Sequence, residues 1–203
     1  MARPRSEDKR NAILASAAHV IARQGIAAPT ARIAKEAGIA EGSLFTYFPN
    51  KDELLNALYR EVKLELSRTM MAGYPQEASA RERLRHMWNR YVQWGAHYPQ
   101  KFKAVTQLGV SDRVREDVKA ECRQHYTALQ SVLEESVSNP ALLTVPWLFV
   151  STLMTVVAET TMGFMAREPQ RADDYLGRRF RSLLERHHGL KNRRRLASIA
   201  DFK

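Results

Sequence analysis

The sequence predicts an all-α protein with a small N-terminal helical unit and a larger helical body. Three observations predict it. Apolar residues recur at helical spacing, most cleanly in Leu84, Met87, Trp88, Tyr91, Val92 and Gly95, which fall at i, +3, +4, +7, +8 and +11. Glycine and proline are scarce, 9 and 8 in 203 residues, and Gly25, Gly38 and Gly189 stand just after periodic runs, where helices end. No stretch alternates convincingly as a strand would, and no internal repeat is visible.

Taken in order, residues 1–5 carry a proline and two arginines and are expected to be unstructured. Ser6 is placed as an N-cap, with Glu7 and Asp8 suited to the positive end of a helix dipole. The first helix runs to about Gln24, buries Ile13, Leu14, Ala17, Ala18 and Ile21, and stops at Gly25. Asn50-Lys51-Asp52-Glu53 reads as a capping box for a long helix carrying Leu54, Leu55, Leu58, Val62 and Leu66, which ends near Gly73. The body begins around residue 78. Pro99 opens a short helix with Phe102, Val105 and Leu108, and Val118, Cys122, Tyr126, Leu129 and Leu133 describe one further helix closed near Asn139-Pro140. Residues 146–166 form the most apolar stretch, with Glu159 as its one charge, and should be buried on more than one side. A last helix is expected over 170–188, with Leu176, Phe180, Leu183 and Leu184 inward. The tail from Lys191 is basic, weakly periodic and expected to be mobile.

The segment between these helices organises the chain. In residues 30–51, TARIAKEAGIAEGSLFTYFPNK, Ile33, Ala34 and Ala37 give a short helix with a small apolar face. Gly38 can take the left-handed conformation that closes it, and Ile39 can plug the corner. A second helix then starts near Ala40 or Glu41, with Leu44 and Phe48 four apart and inward. That layout is a helix-turn-helix. Spacing alone also admits an ordinary helix pair in a larger bundle.

The stretch IARQGIAAPTARIAKEAGIAEGSLFTYFPNKDELL resembles the signature of the TetR family of bacterial transcription regulators. Gly25, Thr30, Ile33, Ala34, Ala37, Gly38, Gly42, Ser43, Leu44, Phe45, Tyr47, Phe48 and Lys51 fall in one register with it, over roughly residues 10–60. Three positions depart. Ile21 stands where phenylalanine is usual, and Ala40 where a serine or threonine cap is common. Pro29-Thr30 replaces a Thr-Thr pair, so Thr30 is either the cap or a first-turn residue.

The resemblance implies a helix-turn-helix DNA-binding domain over 1–50, a helical effector-binding and dimerisation domain over 51–190, and a basic tail over 191–203. It implies a homodimer on double-stranded operator DNA, most simply a repressor, with the long helix joining head to body. Tyr47 and Lys51 are expected on phosphates, as a phenol and an ammonium at helix ends. Ser43, Phe45 and Thr46 would face base edges or thymine methyls, Gly42 would allow close approach, and Thr30 would add a phosphate contact. The Arg3/Arg5 arm would enter the minor groove.

Composition bounds the alternatives. A formal charge of +10 and a pI near 10.0 favour nucleic acid or an anionic membrane surface, or reflect simple solubility. The basic residues load both ends of the chain, not only the helix-turn-helix. No run is expected to be long and apolar enough for a bilayer, no signal-peptide layout is present, and Cys122 has no partner for an internal disulfide. These point to the cytoplasm, with no membrane partner expected. No catalytic motif, phosphate loop or Cys/His cluster is present, so neither an enzyme nor a metal or cofactor site is expected; Glu185 and His188 lack the second pair that a di-iron site needs. Trp88, Tyr91, Phe102, Tyr126, Trp147 and Met154 are either core or the lining of a cavity for a small apolar or aromatic effector. The family favours a cavity somewhere but does not choose its residues. The alternative is a DNA-binding structural or interaction protein without an effector.

Overall fold

The computed structural model describes residues 6–136 and 146–178, and every regular element among them is helical. In chain order these are α1 (Glu7–Gln24), α2 (Thr30–Glu36), α3 (Glu41–Tyr47), α4 (Lys51–Met71), α5 (Ala80–His97), α6 (Pro99–Gly109), α7 (Glu116–Gln124), α8 (Thr127–Ser136) and α9 (Trp147–Arg167). A short 3-10 turn, Pro169–Arg171, and a π turn, Asp174–Arg178, follow.

Helix α1 starts where the sequence places it, but the Ser6 side chain makes no capping bond, so Glu7 and Asp8 in the first turn are left to answer the dipole. Its expected stripe is buried together with Val20 and Ala22. Helix α4 is capped by Asn50, whose Oδ1 accepts from the Glu53 amide at 2.9 Å. Only this arm of the expected capping box forms, because the Glu53 carboxylate is taken by Arg115 at 2.5 Å. A complete box that the sequence reading passed over closes α5: Ser79 Oγ accepts from the Glu82 amide, and the Glu82 carboxylate accepts from the Ser79 amide. At 21 residues α4 is about 30 Å long, and it buries Leu54, Leu55, Leu58, Val62, Leu66 and Met70 along its length.

Three expectations are corrected. The single helix through Val118 and Leu133 is two, because the backbone turns at His125 and Tyr126. Both turn residues are tied to α4: Ser67 Oγ donates to the His125 carbonyl at 2.9 Å, and Tyr126 Oη donates to the Lys63 carbonyl at 2.7 Å. The apolar face continues across the break, with Val118, Cys122 and Leu129 all buried, so periodicity could not reveal it.

Helix α9 is not buried on several sides within the chain. It packs on α5 and buries Ala158, while Phe149, Leu153, Val156, Val157 and Phe164 remain exposed. Residues 149–167 are in fact long and apolar enough to cross a membrane, contrary to expectation. Their threonines hide polarity, since the hydroxyls of Thr155, Thr160 and Thr161 donate to carbonyls one turn back.

The expected helix over 170–188 begins instead as the two irregular turns, with Leu176 buried as read and Tyr175 beside it. Phe180, Leu183, Leu184, Glu185, His188, the basic tail and the Arg3/Arg5 arm lie outside the described residues, as does the Asn139-Pro140 closure.

One apolar core runs unbroken from Ile13 in α1 to Leu176. Helix α1 contacts α2 and α4, and along much of its length it also lies against α6, so the N-terminal unit and the body share a buried seam.

Candidate nucleic-acid interface and ligand cavity

Helix α2 opens after Pro29, which has no amide hydrogen to leave unsatisfied. Thr30 is therefore a first-turn residue rather than the cap. Its hydroxyl donates to the carboxylate of Glu41 at 2.6 Å, tying the start of α2 to the start of α3. The turn between them is a Schellman motif: the Gly38 amide bonds the Lys35 carbonyl at 3.2 Å, and the Ile39 amide bonds the Ala34 carbonyl at 3.0 Å. Gly38 sits at φ 68°, which L side chains rarely adopt. Ile33, Ala34, Leu44 and Phe48 anchor the pair in the core, and Ile39 packs partly buried at the corner.

This anchoring leaves one side of α3 bare. Gly42, Ser43, Phe45 and Thr46 are all exposed, and Phe45 is 41% exposed despite being aromatic. A Cβ on Gly42 would meet nothing within 4 Å in this chain, so internal packing does not require glycine there. The Thr46 hydroxyl donates to the Ser43 carbonyl at 2.7 Å, leaving its methyl and two oxygen lone pairs for a partner. Tyr47 closes α3 and Lys51 opens α4, both half-buried. Burial, and then repulsion from Arg113, holds the Lys51 ammonium below the usual lysine range, against a smaller opposing pull from Asp52. Two side chains here were not singled out from sequence. Glu41 is paired with Thr30, and Arg10 lies over the Phe48 ring at 5.8 Å; both are cross-helix contacts without a signal in spacing.

In the body, α4, α5, α7 and α9 enclose a cavity of about 530 Å³, within the range of small-molecule sites. Trp88, Tyr91, Tyr126 and Met154 line it. Phe102 instead lines a second hollow of about 490 Å³ with Gly95, Met162 and Ala166, and the Trp147 side chain lies outside the described residues. Sequence reasoning missed two walls. Tyr59, Lys63, Leu66 and Met70 come from one face of α4 at i, +4, +7 and +11, and Glu116, Lys119 and Arg123 come from α7 at i, +3 and +7. Of these, only Leu66 stands in the apolar stripe read from the sequence, as core; Tyr59, Lys63, Met70 and the three α7 residues carry no signal there.

The cavity lining combines apolar and aromatic side chains with three basic ones, Lys63, Lys119 and Arg123. Arg123 pairs with Glu116 at 2.7 Å, and Lys119 donates to the Ser111 carbonyl at 3.0 Å. The Lys63 ammonium lies 4.2 Å from the centroid of the Tyr126 ring. Protein surrounds Lys63 on nearly every side, but it keeps some accessible area because it faces the hollow. Burial pushes its pKa down to about 8, with Cys122 acting weakly the other way. Burial also pushes Tyr59 up to about 12 and raises Tyr91 and Tyr126, so all three phenols stay neutral.

The first turn of α4 is strapped to the segment between α6 and α7. Arg113 Nε donates to Asp52 at 2.6 Å and Arg115 to Glu53 at 2.5 Å. Between them the buried Asn56 accepts from the Arg115 amide at 2.9 Å and donates to the Asp52 carbonyl at 2.6 Å. Further along, Arg60 forks onto Glu121 at 2.9–3.0 Å. The helix that walls the cavity is thus held at the end that follows α3. Among the described residues no cluster of three or more His, Cys, Asp or Glu side chains could hold a metal ion.

Residues 13–58 match the model of bacterial regulatory proteins, tetR family. The fatty acid metabolism regulator protein of Bacillus subtilis is 26% identical over 133 residues, covering 63% of this chain and 67% of that protein. Among solved structures, a TetR family transcription regulator from Marinobacter aquaeolei VT8 superposes with a TM-score of 0.69 at 21% identity, covering 84% of this chain and 90% of its own. The transcriptional regulator FadR from Bacillus subtilis in complex with stearoyl-CoA gives 0.60 at 19% identity, covering 82% and 95%. At these identities the structural likenesses speak to the fold: an N-terminal helix-turn-helix followed by a helical body.

Proposed function

We infer, from the premise that this chain is a TetR-family transcription regulator by its N-terminal domain, that it represses by binding operator DNA as a homodimer and is released by a small effector held in the body. The observation that carries this reading is the double role of α4. Only three residues separate its first turn from the end of α3, while Tyr59, Lys63, Leu66 and Met70 farther along wall the cavity. An occupant that shifts α4 moves the start of that helix, and with it the angle at which α3 meets a groove.

Under this reading Ser43, Phe45 and Thr46 face the bases, Gly42 admits close backbone approach, and Thr30, Tyr47 and Lys51 take phosphates. The Trp88, Tyr91, Tyr126 and Met154 walls suit an apolar or aromatic body in the ligand. A fold neighbour holding stearoyl-CoA supports an effector with a hydrocarbon part. The exposed α9 stripe serves the homodimer, bringing two α3 helices about one DNA turn, roughly 34–36 Å, apart.

The test is a titration of purified protein against genomic DNA fragments at low salt, followed by measurement on the fragment retained. Effector must lower DNA affinity, and DNA must lower effector affinity by the same factor. A hundredfold effect corresponds to about 2.7 kcal/mol of coupling. Equal effector affinity with and without the DNA fragment would refute the release mechanism. Absence of any retained fragment would refute the DNA-binding assignment.

A further inference from the structure

The hydrophobic walls of the cavity account for the tail of a ligand but not for the cations that line it. Among the described residues no carboxylate pairs with the Lys63 ammonium and no hydrogen bond satisfies it; its one contact of note is the face of Tyr126. Lys119 and Arg123 line the same hollow, with Glu116 as the only acid among the described lining residues. Glu116 is already engaged by Arg123. A charge taken this far from water without a counter-ion is costly, and a cavity that concentrates three cations against one acid is complementary to an anion. Leu66, Met70, Met87, Trp88 and Leu129 offer that anion's substituent hydrocarbon, thioether and indole.

We propose that the cavity binds an anionic amphiphile, its oxyanion head on Lys63 between Lys119 and Arg123 and its alkyl chain against Leu66, Met70, Met87 and Trp88. This rests on the reading of the cavity as an effector site, and narrows the effector from a neutral apolar molecule to one with a charged head. A carboxylate and a phosphate ester both meet this description, since both offer an ammonium the same oxygens.

The lysine also supplies a signature. With a pKa near 8, Lys63 loses its proton between pH 7 and 9.5. Its titratable neighbours stay as they are over that range: Tyr59 on α4, Tyr91 on α5, and Tyr126 after α7 are all held well above it. Cys122 on α7 is raised by burial as well, and Glu116, Lys119 and Arg123 on the same helix are the other charged side chains that line the hollow. Affinity for an anion should therefore fall as pH rises through 8, and affinity for a neutral chain should not.

The experiment is calorimetry on the full-length protein with dodecanoate, dodecyl phosphate, dodecanol and dodecanoyl-CoA, each below its micelle concentration, at pH 7 and pH 9.5. Expected are at least tenfold tighter binding of dodecanoate or dodecyl phosphate than of dodecanol at pH 7, and loss of most of that margin at pH 9.5. K63M should abolish the margin, bringing the affinity for both anions down to that of the same variant for dodecanol. The wild-type pH series needs no variant and decides the matter even if K63M fails to fold. The tighter of the two anions identifies the head. Equal binding of dodecanol and both anions overturns the proposal but leaves the cavity as an effector site. Binding of dodecanoyl-CoA alone supports the proposal if it weakens from pH 7 to pH 9.5, its phosphates then being the anion on Lys63, and overturns it if its affinity is the same at both. If none of the four binds, the effector-site reading falls with it, while DNA retention on genomic fragments remains a separate result.

Discussion

At the residue scale, Tyr47 and Lys63 make different kinds of demand on a sequence reader. Tyr47 stands in a family register, and its half-buried ring leaves the phenol as the group available to a phosphate. Tyr47→Phe should weaken binding to all DNA sequences alike by about 1 kcal/mol, the net value of one hydrogen bond, whereas Thr46→Ala should shift base preference; fluorescence anisotropy on an operator and on scrambled duplexes separates the two. Lys63 was invisible in the sequence because it sits in an apolar helical face as any snorkelling lysine would. Its folded pKa, about 8, lies below the unfolded value of 10.5, so the folded state disfavours the protonated form. The resulting cost is fully present below pH 8 and disappears as pH rises toward 10.5. Lys63→Met should therefore stabilise the unliganded protein at pH 7 by about 1–2 kcal/mol, allowing for solvent in the hollow, with the gain shrinking at higher pH. Thermal melts at pH 7 and pH 10 check both size and sign.

At the element scale, what could be read from sequence divides along one physical line. Helix ends set by local chemistry were legible: Gly25 and Gly38 at positive φ, Asn50 on the Glu53 amide, Pro99 at the start of α6. Features set by contacts between helices were not. The break at His125 and Tyr126 is made by Ser67 and the Lys63 carbonyl, nearly sixty residues earlier in the chain, and apolar spacing continues across it. The helix-turn-helix was readable because it is almost wholly local, whereas the α7 wall of the cavity is aligned with α4 only by the fold. Helix α9 is a third case, in which the composition demanded burial and the single chain does not supply it. Its exposed positions 149, 153, 156, 157 and 164 lie on one face, which on the homodimer reading meets a second copy. Val156→Glu, at a site 55% exposed in the single chain, should leave the helical content intact and convert the protein to a monomer by light scattering at micromolar concentration. DNA affinity should fall with it, since each half-site alone is weak.

At the scale of the whole molecule, the buried seam between α1 and α6 matters as much as any single site. The DNA-facing unit is not an independent bead on a string: α1 rests on a body helix, and the core from Ile13 to Leu176 has no gap at residue 50. A fragment of residues 1–50 lacks both α4 and α6 and should show little helical circular dichroism. A length of 50 residues is also near the lower limit for a self-supporting core.

That seam sets a rule for modular engineering. Grafting this reading head onto another helical body at the α3–α4 junction would leave the buried side of α1 facing a foreign α6. A working chimera would have to carry the matching face of α6 across with the head, or redesign it. The same constraint means that drift in α6 can retune a DNA reader it never places near the double helix.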